Sequence, residues 1–291
     1  MELSTSTNIL FERRDGELIP QEKVIRLCAE AGYTILDFCF HDLITYESPL
    51  KTDNWEDYFH FIKKVATDCN IRFQQGHAIV YDFCRTDIDH RLYDELFRRC
   101  IVGANILGIK WLVVHPSTVR DEVLFKAKSK RKNIEFFQKW VAVAKNYQVS
   151  FAVENMWDLH IQPIRQYCVE VEELIELVDA VPGLGACWDC EHAEIMQIDQ
   201  GQALEALGHR LKALHISDYT NEKDIHLLPY LGNSNWDAIF TALRGIQYDG
   251  LFNFEIHKYL VNMPHELIPE AMKFSVSIGR YMIEQIKRGG K

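Results

Sequence analysis

Short apolar runs that end on an ionisable residue recur in the second half of the chain. Strands buried on both faces of a parallel sheet are continuous apolar runs, so each segment predicts a buried strand. An ionisable side chain at the end of such a strand is costly unless it is paired or binds a metal. The four segments are 149–154, 184–189, 211–215 and 251–255, which end at Glu154, Asp189, His215 and Glu255.

Segments with apolar residues at helical spacing separate these strands and four earlier ones. The predicted strands are 8–11, 33–40, 71–75, 110–114 and the four above. The predicted helices are 20–31, 54–69, 90–107, 129–147, 171–181, 201–209, 236–246 and 264–287. Eight strand–helix units without a linker favour a closed parallel (β/α)8 barrel, a TIM barrel, formed by a single α/β domain over residues 1–291.

The carboxyl ends of barrel strands open into one shared mouth, where active sites lie. We therefore expect Glu154, Asp189, His215 and Glu255 to meet there. Carboxylate oxygens with one imidazole suit a divalent metal, namely Mn²⁺, Mg²⁺, Co²⁺ or Zn²⁺. The alternative is that each residue caps its strand or pairs with a lysine or arginine, but no basic residue occupies a matching strand end.

Further polar residues follow the same strands. His77 and His115 come after strands three and four, and His192 lies three residues beyond Asp189. Asp224 and His226 form an Asp-x-His pair in the loop after strand seven. A histidine there can also simply bond the backbone. The candidate substrate-binding residues are His77, His115, His192, His226 and Trp157, and the candidate additional ligands are His192, Asp224 and His226.

The composition of the chain limits the kinds of molecule and surface that it is expected to bind. The chain has 291 residues, a net charge of −10 and a sequence pI near 5.6. An acidic surface repels phosphate backbones, so nucleic acid is disfavoured. No apolar run approaches the roughly 18 residues that cross a bilayer, and the first residues do not form a signal peptide. Eight scattered cysteines favour reduced thiols and a cytoplasmic location, whereas homo-oligomer formation is left open.

Together these motifs resemble the xylose-isomerase-like barrel superfamily over essentially the whole chain. The resemblance is carried by Gly76-His77-Ala78, Val114-His115-Pro116, Val153-Glu154-Asn155, Trp188-Asp189-x-x-His192, Leu214-His215, Asp224-x-His226-Leu227-Leu228-Pro229 and Phe254-Glu255-Ile256. The ketose 3-epimerases of this group bind one metal through a Glu, an Asp, a His and a Glu. The resemblance places these roles on Glu154, Asp189, His215 and Glu255, with the two glutamates as acid and base.

The resemblance also includes endonuclease IV, whose three-zinc site has nine ligands. Those nine match His77, His115, Glu154, Asp189, His192, His215, Asp224, His226 and Glu255. The acidic charge and the epimerase-like loop from His226 to Gly232 favour sugar chemistry instead. One departure is that residues 216–222 lack the arginine with which ketose epimerases grip their substrate.

The resemblance therefore implies a metal-dependent sugar isomerase or epimerase. Its substrate would be a small polyhydroxylated carbonyl compound, and proton transfer would pass through an enediolate with two glutamates as acid and base. The alternatives are an endonuclease IV-like zinc phosphodiesterase acting on abasic-site DNA, a related metal-dependent dehydratase, and a metal-binding barrel without catalysis.

Overall fold

Eight parallel strands form the centre of the computed structural model, which describes residues 1–11, 13–45, 48–120, 123–158, 165–220 and 225–289. Neighbouring strands pair in the order β7-β6-β5-β4-β3-β2-β1-β8. The strands are β1 (Glu2–Ser6), β2 (Ile35–Cys39), β3 (Arg72–His77), β4 (Trp111–Val114), β5 (Ser150–Glu154), β6 (Gly185–Asp189), β7 (Leu211–His215) and β8 (Leu251–Phe254).

The two ends of this sheet meet between β7 and β8. Ile216 pairs with Phe254 in parallel, its N–H donates to Asn253 O at 2.8 Å, and its carbonyl accepts from Glu255 N at 3.0 Å. This contact nearly closes the barrel, so the predicted (β/α)8 architecture is confirmed.

Helices follow the strands as the alternating pattern predicts. The α-helices of the described residues are α1 (Gln21–Ala31), α2 (Asp42–Thr45), α3 (Trp55–Asp68), α4 (His90–Leu107), α5 (Phe125–Lys145), α6 (Val171–Ala180), α7 (Cys190–Ile195), α8 (Gln200–Leu207), α9 (Trp236–Gly245) and α10 (Ile268–Arg288). Short 3₁₀ turns cover Thr7–Leu10, Pro49–Lys51, Gly208–Arg210 and His265–Leu267. None of these described helices is both long enough and apolar enough to cross a membrane.

Local chemistry explains where helix α4 begins and ends. The Asp89 carboxylate accepts hydrogen bonds from the N–H groups of Arg91 and Leu92, which would otherwise lack partners in the first turn. Gly108 ends the helix with a left-handed φ of +90°, and its N–H reaches back to Ala104 O. A glycine at this position adopts the left-handed conformation without steric strain.

The first strand departs from the prediction. Residues 8–11 were expected to form it, but Thr7–Leu10 is a 3₁₀ turn and the strand is Glu2–Ser6. The reason is that β1 points hydroxyl groups into the barrel, where Ser4 donates a hydrogen bond to the side chain of Asn253. Because the inward-facing residues of β1 are serines, this strand has no apolar pattern. The apolar residues that follow it, Ile9 and Leu10, lie in the 3₁₀ turn.

Side chains that point into the barrel form layers along strands β4 to β7. Because side chains alternate between the two faces of a strand, residues two apart share a face. Val113, Ala152, Cys187 and Ala213 form one buried apolar cluster within the barrel. The residues two positions later are His115, Glu154, Asp189 and His215. A layer of mostly small apolar side chains therefore supports a layer of titratable ones at the mouth.

Candidate active site

The structure brings four residues from four strand ends together at the mouth. Glu154, Asp189, His215 and Glu255 each place one donor atom so that all four lie within 4.8 Å of one another. His215 Nδ1 is 2.6 Å from Glu154 Oε1, 3.1 Å from Glu255 Oε2 and 3.9 Å from Asp189 Oδ2. All four residues are buried. The pairing of Asp189 with His215 across β6 and β7 sets two of them at the same level.

The three carboxyl groups of this cluster differ in how readily they ionise. Burial raises the pKa of the Glu154 carboxyl, but His215, His115 and His77 outweigh burial and hold the pKa well below its usual value. Burial also opposes ionisation of Glu255, yet His215 keeps its pKa well below the usual value. Burial and the two glutamates raise the pKa of Asp189 well above its ordinary value. Of the three carboxyl groups, Asp189 is therefore the one whose protonated form is favoured.

A divalent cation fits this donor set. Asp189 Oδ2 and Glu154 Oε2 are buried and accept no hydrogen bond from the described residues, although histidine nitrogens lie 3.0 and 3.4 Å from Glu154 Oε2 without hydrogen-bond geometry. No lysine or arginine of the described chain forms an ion pair with these carboxylates. Three buried carboxyl groups and one imidazole therefore have donor atoms to spare for a hard or borderline metal ion.

His77 at the end of β3 and His115 just after β4 lie beside Glu154. Their Nε2 atoms are 3.1 Å apart, and each lies near Glu154 Oε2. His77, His115 and Glu154 each place one donor atom within 4.8 Å of the others. They therefore form a second group that could hold a metal ion. The two groups share Glu154, so the predicted histidines and the four-residue cluster form one continuous site.

Asn155 fixes the relative position of β5 and β6 at the mouth. Its side-chain oxygen accepts from Asp189 N at 2.6 Å, and its amide nitrogen donates to Asp189 O at 3.0 Å. The backbone oxygen of Asn155 contacts His192 Nδ1 at 2.7 Å. This nitrogen therefore carries the ring hydrogen, which leaves His192 Nε2 as an acceptor. The contact between Asn155 and the backbone of Asp189 was not predicted from the sequence.

His226 approaches the cluster from the loop after β7. Its backbone N–H donates to the carboxylate of Glu191, and its Nδ1 lies 3.2 Å from Glu255 O. Burial lowers the pKa of His226 to about 4, so its ring is neutral. The ring lies 3.7 Å from that of His257. Asp224, the other residue of the predicted pair, lies outside the described residues.

A cavity of about 260 Å³ opens onto this cluster. All five residues predicted to bind substrate line it, namely His77, His115, His192, His226 and Trp157. Glu154 and Glu255 also line it, whereas Asp189 and His215 do not. A volume of this size suits a small ligand rather than a polymer.

Sequence reasoning missed the opposite wall of the cavity. It is formed by residues that follow β1, β2 and β8, namely Asn8, Phe11, His41, Asp42, His257 and Lys258, with Cys39 at the end of β2. The sequence signal available for these residues is their position, because they lie at or just after the carboxyl end of a strand, as the predicted site residues do. Of these residues, His257 carries a further signal, because it shares strand parity with Glu255, which indicates packing or substrate contact rather than metal binding.

Fold and site together define a (β/α)8 barrel with a buried carboxylate–imidazole cluster at its carboxyl-end mouth. A family model described as "xylose isomerase-like TIM barrel" matches residues 25–278. The chain therefore belongs to this family. A curated relative, the uncharacterized protein y4fM of Sinorhizobium fredii, is 42% identical over 72 residues. That match spans 25% of this chain and 23% of the relative.

Solved structures of similar fold include three whose described activities or ligands are informative. D-psicose 3-epimerase from Clostridium cellulolyticum, solved with D-tagatose, superposes with a TM-score of 0.73 at 16% identity, covering 97% of this chain and 99% of that one. IOLI protein with a bound zinc atom gives 0.71 at 16% identity, covering 98% of both chains. The 3-keto-D-glucoside 4-epimerase from E. coli gives 0.70 at 15% identity, covering 97% and 99%.

Proposed function

We propose that this protein is a metal-dependent isomerase or epimerase that acts on a small polyhydroxylated carbonyl compound, by way of an enediolate. The observation that carries the proposal is the buried group of Glu154, Asp189, His215 and Glu255, whose donor atoms converge beside a small cavity. The epimerases among proteins of similar fold support the same class of chemistry. We infer a reducing, cytoplasmic location because all eight cysteines, each in the described part of the chain, are free.

The four clustered residues would hold the ion, which could be Mn²⁺, Mg²⁺, Co²⁺ or Zn²⁺. The bound ion would act as a Lewis acid that stabilises the negative charge developing on the substrate's carbonyl oxygen. The donor set fits this role because it combines three carboxyl groups with one imidazole, and no lysine or arginine of the described residues forms an ion pair with those carboxyl groups.

The two glutamates that line the cavity would move the proton. Neighbouring histidines keep the carboxyl groups of Glu154 and Glu255 ionised, so each can accept a proton from the carbon beside the carbonyl. One glutamate would remove this proton, and the other, after taking up a proton from solvent, would return it at the opposite face or at the neighbouring carbon. The two therefore form an acid–base pair whose direction depends on how the substrate lies.

The neutral histidines would orient the substrate. Burial lowers the pKa values of His192 and His115, so both rings are uncharged near neutral pH and can exchange hydrogen bonds with hydroxyl groups. His192 Nε2 is available as an acceptor because Nδ1 is held by Asn155 O. Trp157, whose ring centroid is 6.0 Å from that of His192, would provide an apolar wall for the sugar carbons.

Two measurements test this proposal. Elemental analysis of the purified protein should find one divalent ion per chain. Incubation of the metal-loaded protein with ketoses in heavy water should then place deuterium on the carbon beside the carbonyl. Tight metal uptake without deuterium exchange across a panel of ketoses would instead indicate a metal-binding barrel without isomerase activity.

A second candidate function rests on the additional group of His77, His115 and Glu154. A site with more than one metal suits phosphodiester hydrolysis, as in an endonuclease IV-like enzyme. Against it, the chain carries a net charge of −10, and Lys258 is the single lysine or arginine among the described residues that line the cavity. Three zinc ions per chain and cleavage of a duplex with one abasic site would favour the nuclease over the isomerase.

A further inference from the structure

Three carboxyl groups line the cavity, and one of them lies outside the metal-binding groups. Glu154 and Glu255 belong to the four-residue cluster, whereas Asp42 begins helix α2 on the opposite wall. Asp42 is 9% exposed, and no basic side chain of the described residues lies within ion-pair distance of it. A buried carboxyl group without a cation destabilises a fold, so its position in the cavity calls for a reason other than stability.

The orientation of Asp42 is fixed by two neutral groups. Gln21 Nε2 donates to Oδ2 at 3.2 Å, and Cys39 Sγ donates to Oδ1 at 3.3 Å. Each carboxylate oxygen can accept two hydrogen bonds, so one site remains on each oxygen. Burial is the largest reason why the pKa of Asp42 is raised to about 7, and Glu255 adds to the increase. The carboxyl group is therefore held in place with acceptor capacity left.

Asn8 stands next to Asp42 in the order of strands, since it follows β1 and Asp42 follows β2. Its side chain is 8% exposed and lines the same cavity. The amide oxygen is buried without a hydrogen-bond partner among the described residues. This wall therefore combines the fixed carboxyl group of Asp42 with an amide oxygen of Asn8 that lacks a hydrogen-bond partner among the described residues.

A pair of adjacent hydroxyl groups matches this combination, because each hydroxyl both donates and accepts a hydrogen bond. We propose that Asn8 and Asp42 form a subsite for the hydroxylated tail of the substrate, on carbons beyond the pair that reacts. This inference rests on the proposed function and deepens it. The substrate would then carry at least two carbons with hydroxyl groups beyond the reacting ones, as pentoses and hexoses do, and a triose would be too short.

The test compares D-fructose with dihydroxyacetone, which has no such tail, by titration calorimetry on the metal-loaded full chain. We expect Asp42→Asn to weaken D-fructose binding by about tenfold or more, because it replaces a charged hydrogen-bond acceptor, and Asn8→Ala to weaken it by roughly threefold to tenfold, because it removes a neutral one. Binding of dihydroxyacetone should change less than about twofold. Asp53→Asn, an exposed aspartate outside the cavity, is the matched control and should alter neither.

Thermal unfolding provides a readout that a purely structural role would not give. Asp42→Asn removes a buried ionisable group, so its midpoint relative to that of the wild type should rise by roughly 2–4 °C between pH 5 and a pH above 7, while D-fructose binding weakens. The groups that face Asp42 and share its titration are Cys39, Tyr58, His77 and Glu255. A midpoint difference between variant and wild type that does not rise with pH would overturn the inference.

The outcomes separate the inference from the proposed function. If Asp42→Asn weakens D-fructose binding but no deuterium enters any ketose, the subsite stands and the isomerase proposal fails. If deuterium exchange occurs but both variants bind D-fructose like the wild type, or lose both ligands equally, the subsite is wrong. Failure of the wild type to bind D-fructose would also overturn it.

Discussion

Asp189 has the least favourable surroundings for ionisation in the four-residue cluster. Burial and the neighbouring glutamates raise its pKa well above the usual value. Burial opposes protonation of His215, but Cys187, Glu154 and Glu255 outweigh burial and raise the pKa of its imidazole well above 6.5. Without an ion, the surroundings therefore favour the protonated form of both residues. A metal needs the carboxylate and the neutral imidazole, so it must displace these protons.

We accordingly expect metal binding to release protons and the affinity to rise with pH. The sign follows because each displaced proton is bound more weakly as pH increases, so binding strengthens up to tenfold per proton and per pH unit. Calorimetry of Zn²⁺ or Mn²⁺ binding in two buffers with different ionisation enthalpies gives the number of protons released. A pH-independent affinity between pH 6 and 8 would contradict this account.

Glu255 both lines the cavity and belongs to the four-residue cluster. Replacing it by glutamine keeps the size of the side chain but removes the base, so we expect turnover to fall by about 10²–10⁴-fold. Circular dichroism should show an intact fold. The control is Glu266→Gln, an exposed glutamate, which should leave turnover unchanged. A Glu255→Gln protein that keeps most of its activity would remove Glu255 from the acid–base pair.

At the scale of residues, the sequence predicted one half of the mouth better than the other. Glu154, Asp189, His215 and Glu255 were recognisable because each interrupts an apolar run at a strand end. Asn8 and Asp42 follow strands without such an interruption, and their shared cavity depends on which loops face each other in space. The contacts of Asn155 with Asp189 likewise span two strands, so no local pattern indicates them.

At the scale of elements, Asp218 organises the loop between β7 and α9. Its two carboxylate oxygens accept hydrogen bonds from four backbone N–H groups and one indole, at distances of 2.9–3.3 Å. The donors are Tyr219, Tyr230, Gly232, Ser234 and Trp236. Asp218 also pairs with Leu227 through two backbone hydrogen bonds. One fully buried side chain therefore holds the loop that carries His226.

Asp218→Asn should destabilise this loop, because an amide nitrogen in place of one oxygen leaves at least two partly buried donors unpaired. Each unpaired donor costs about 1–3 kcal/mol, so we expect a loss of roughly 2–6 kcal/mol in the free energy of unfolding by urea. Asp237→Asn in the exposed first turn of α9 is the control and should change stability by less than about 0.5 kcal/mol. Equal stability of the two variants would show that the loop is held by other contacts.

The elements themselves were predictable wherever one face of the chain is apolar. Strands β2 to β8 and the long helices between them all satisfy this condition, and their predicted bounds lie within a few residues of the structure. Strand β1 does not, since Ser4 and Ser6 face a polar part of the barrel interior. The apolar residues Ile9 and Leu10 lie in the following 3₁₀ turn and belong to the core.

At the scale of the whole molecule, the proposed ion should stabilise the folded chain. Its donors come from four strands, which are far apart in the unfolded chain, so the ion binds mainly to the folded state. At 100 times the dissociation constant this linkage adds about 2.7 kcal/mol to the free energy of unfolding. We expect a chelator to lower the thermal midpoint and Zn²⁺ or Mn²⁺ to restore it. In Asp189→Asn the metal-dependent shift should be smaller, and a midpoint insensitive to metal in the wild type would argue against the site.

The seam of the barrel runs through this cluster. Strands β7 and β8 meet through Ile216, which lies directly after His215, and the hydrogen bond from Glu255 N to Ile216 O is part of the closure. An ion held by His215 and Glu255 would therefore link β7 to β8, the pair of strands that closes the barrel. Opening of this edge would release the ion, and loss of the ion would loosen the edge. Removal of the ion should consequently speed up amide hydrogen exchange between β7 and β8 more than between β2 and β3.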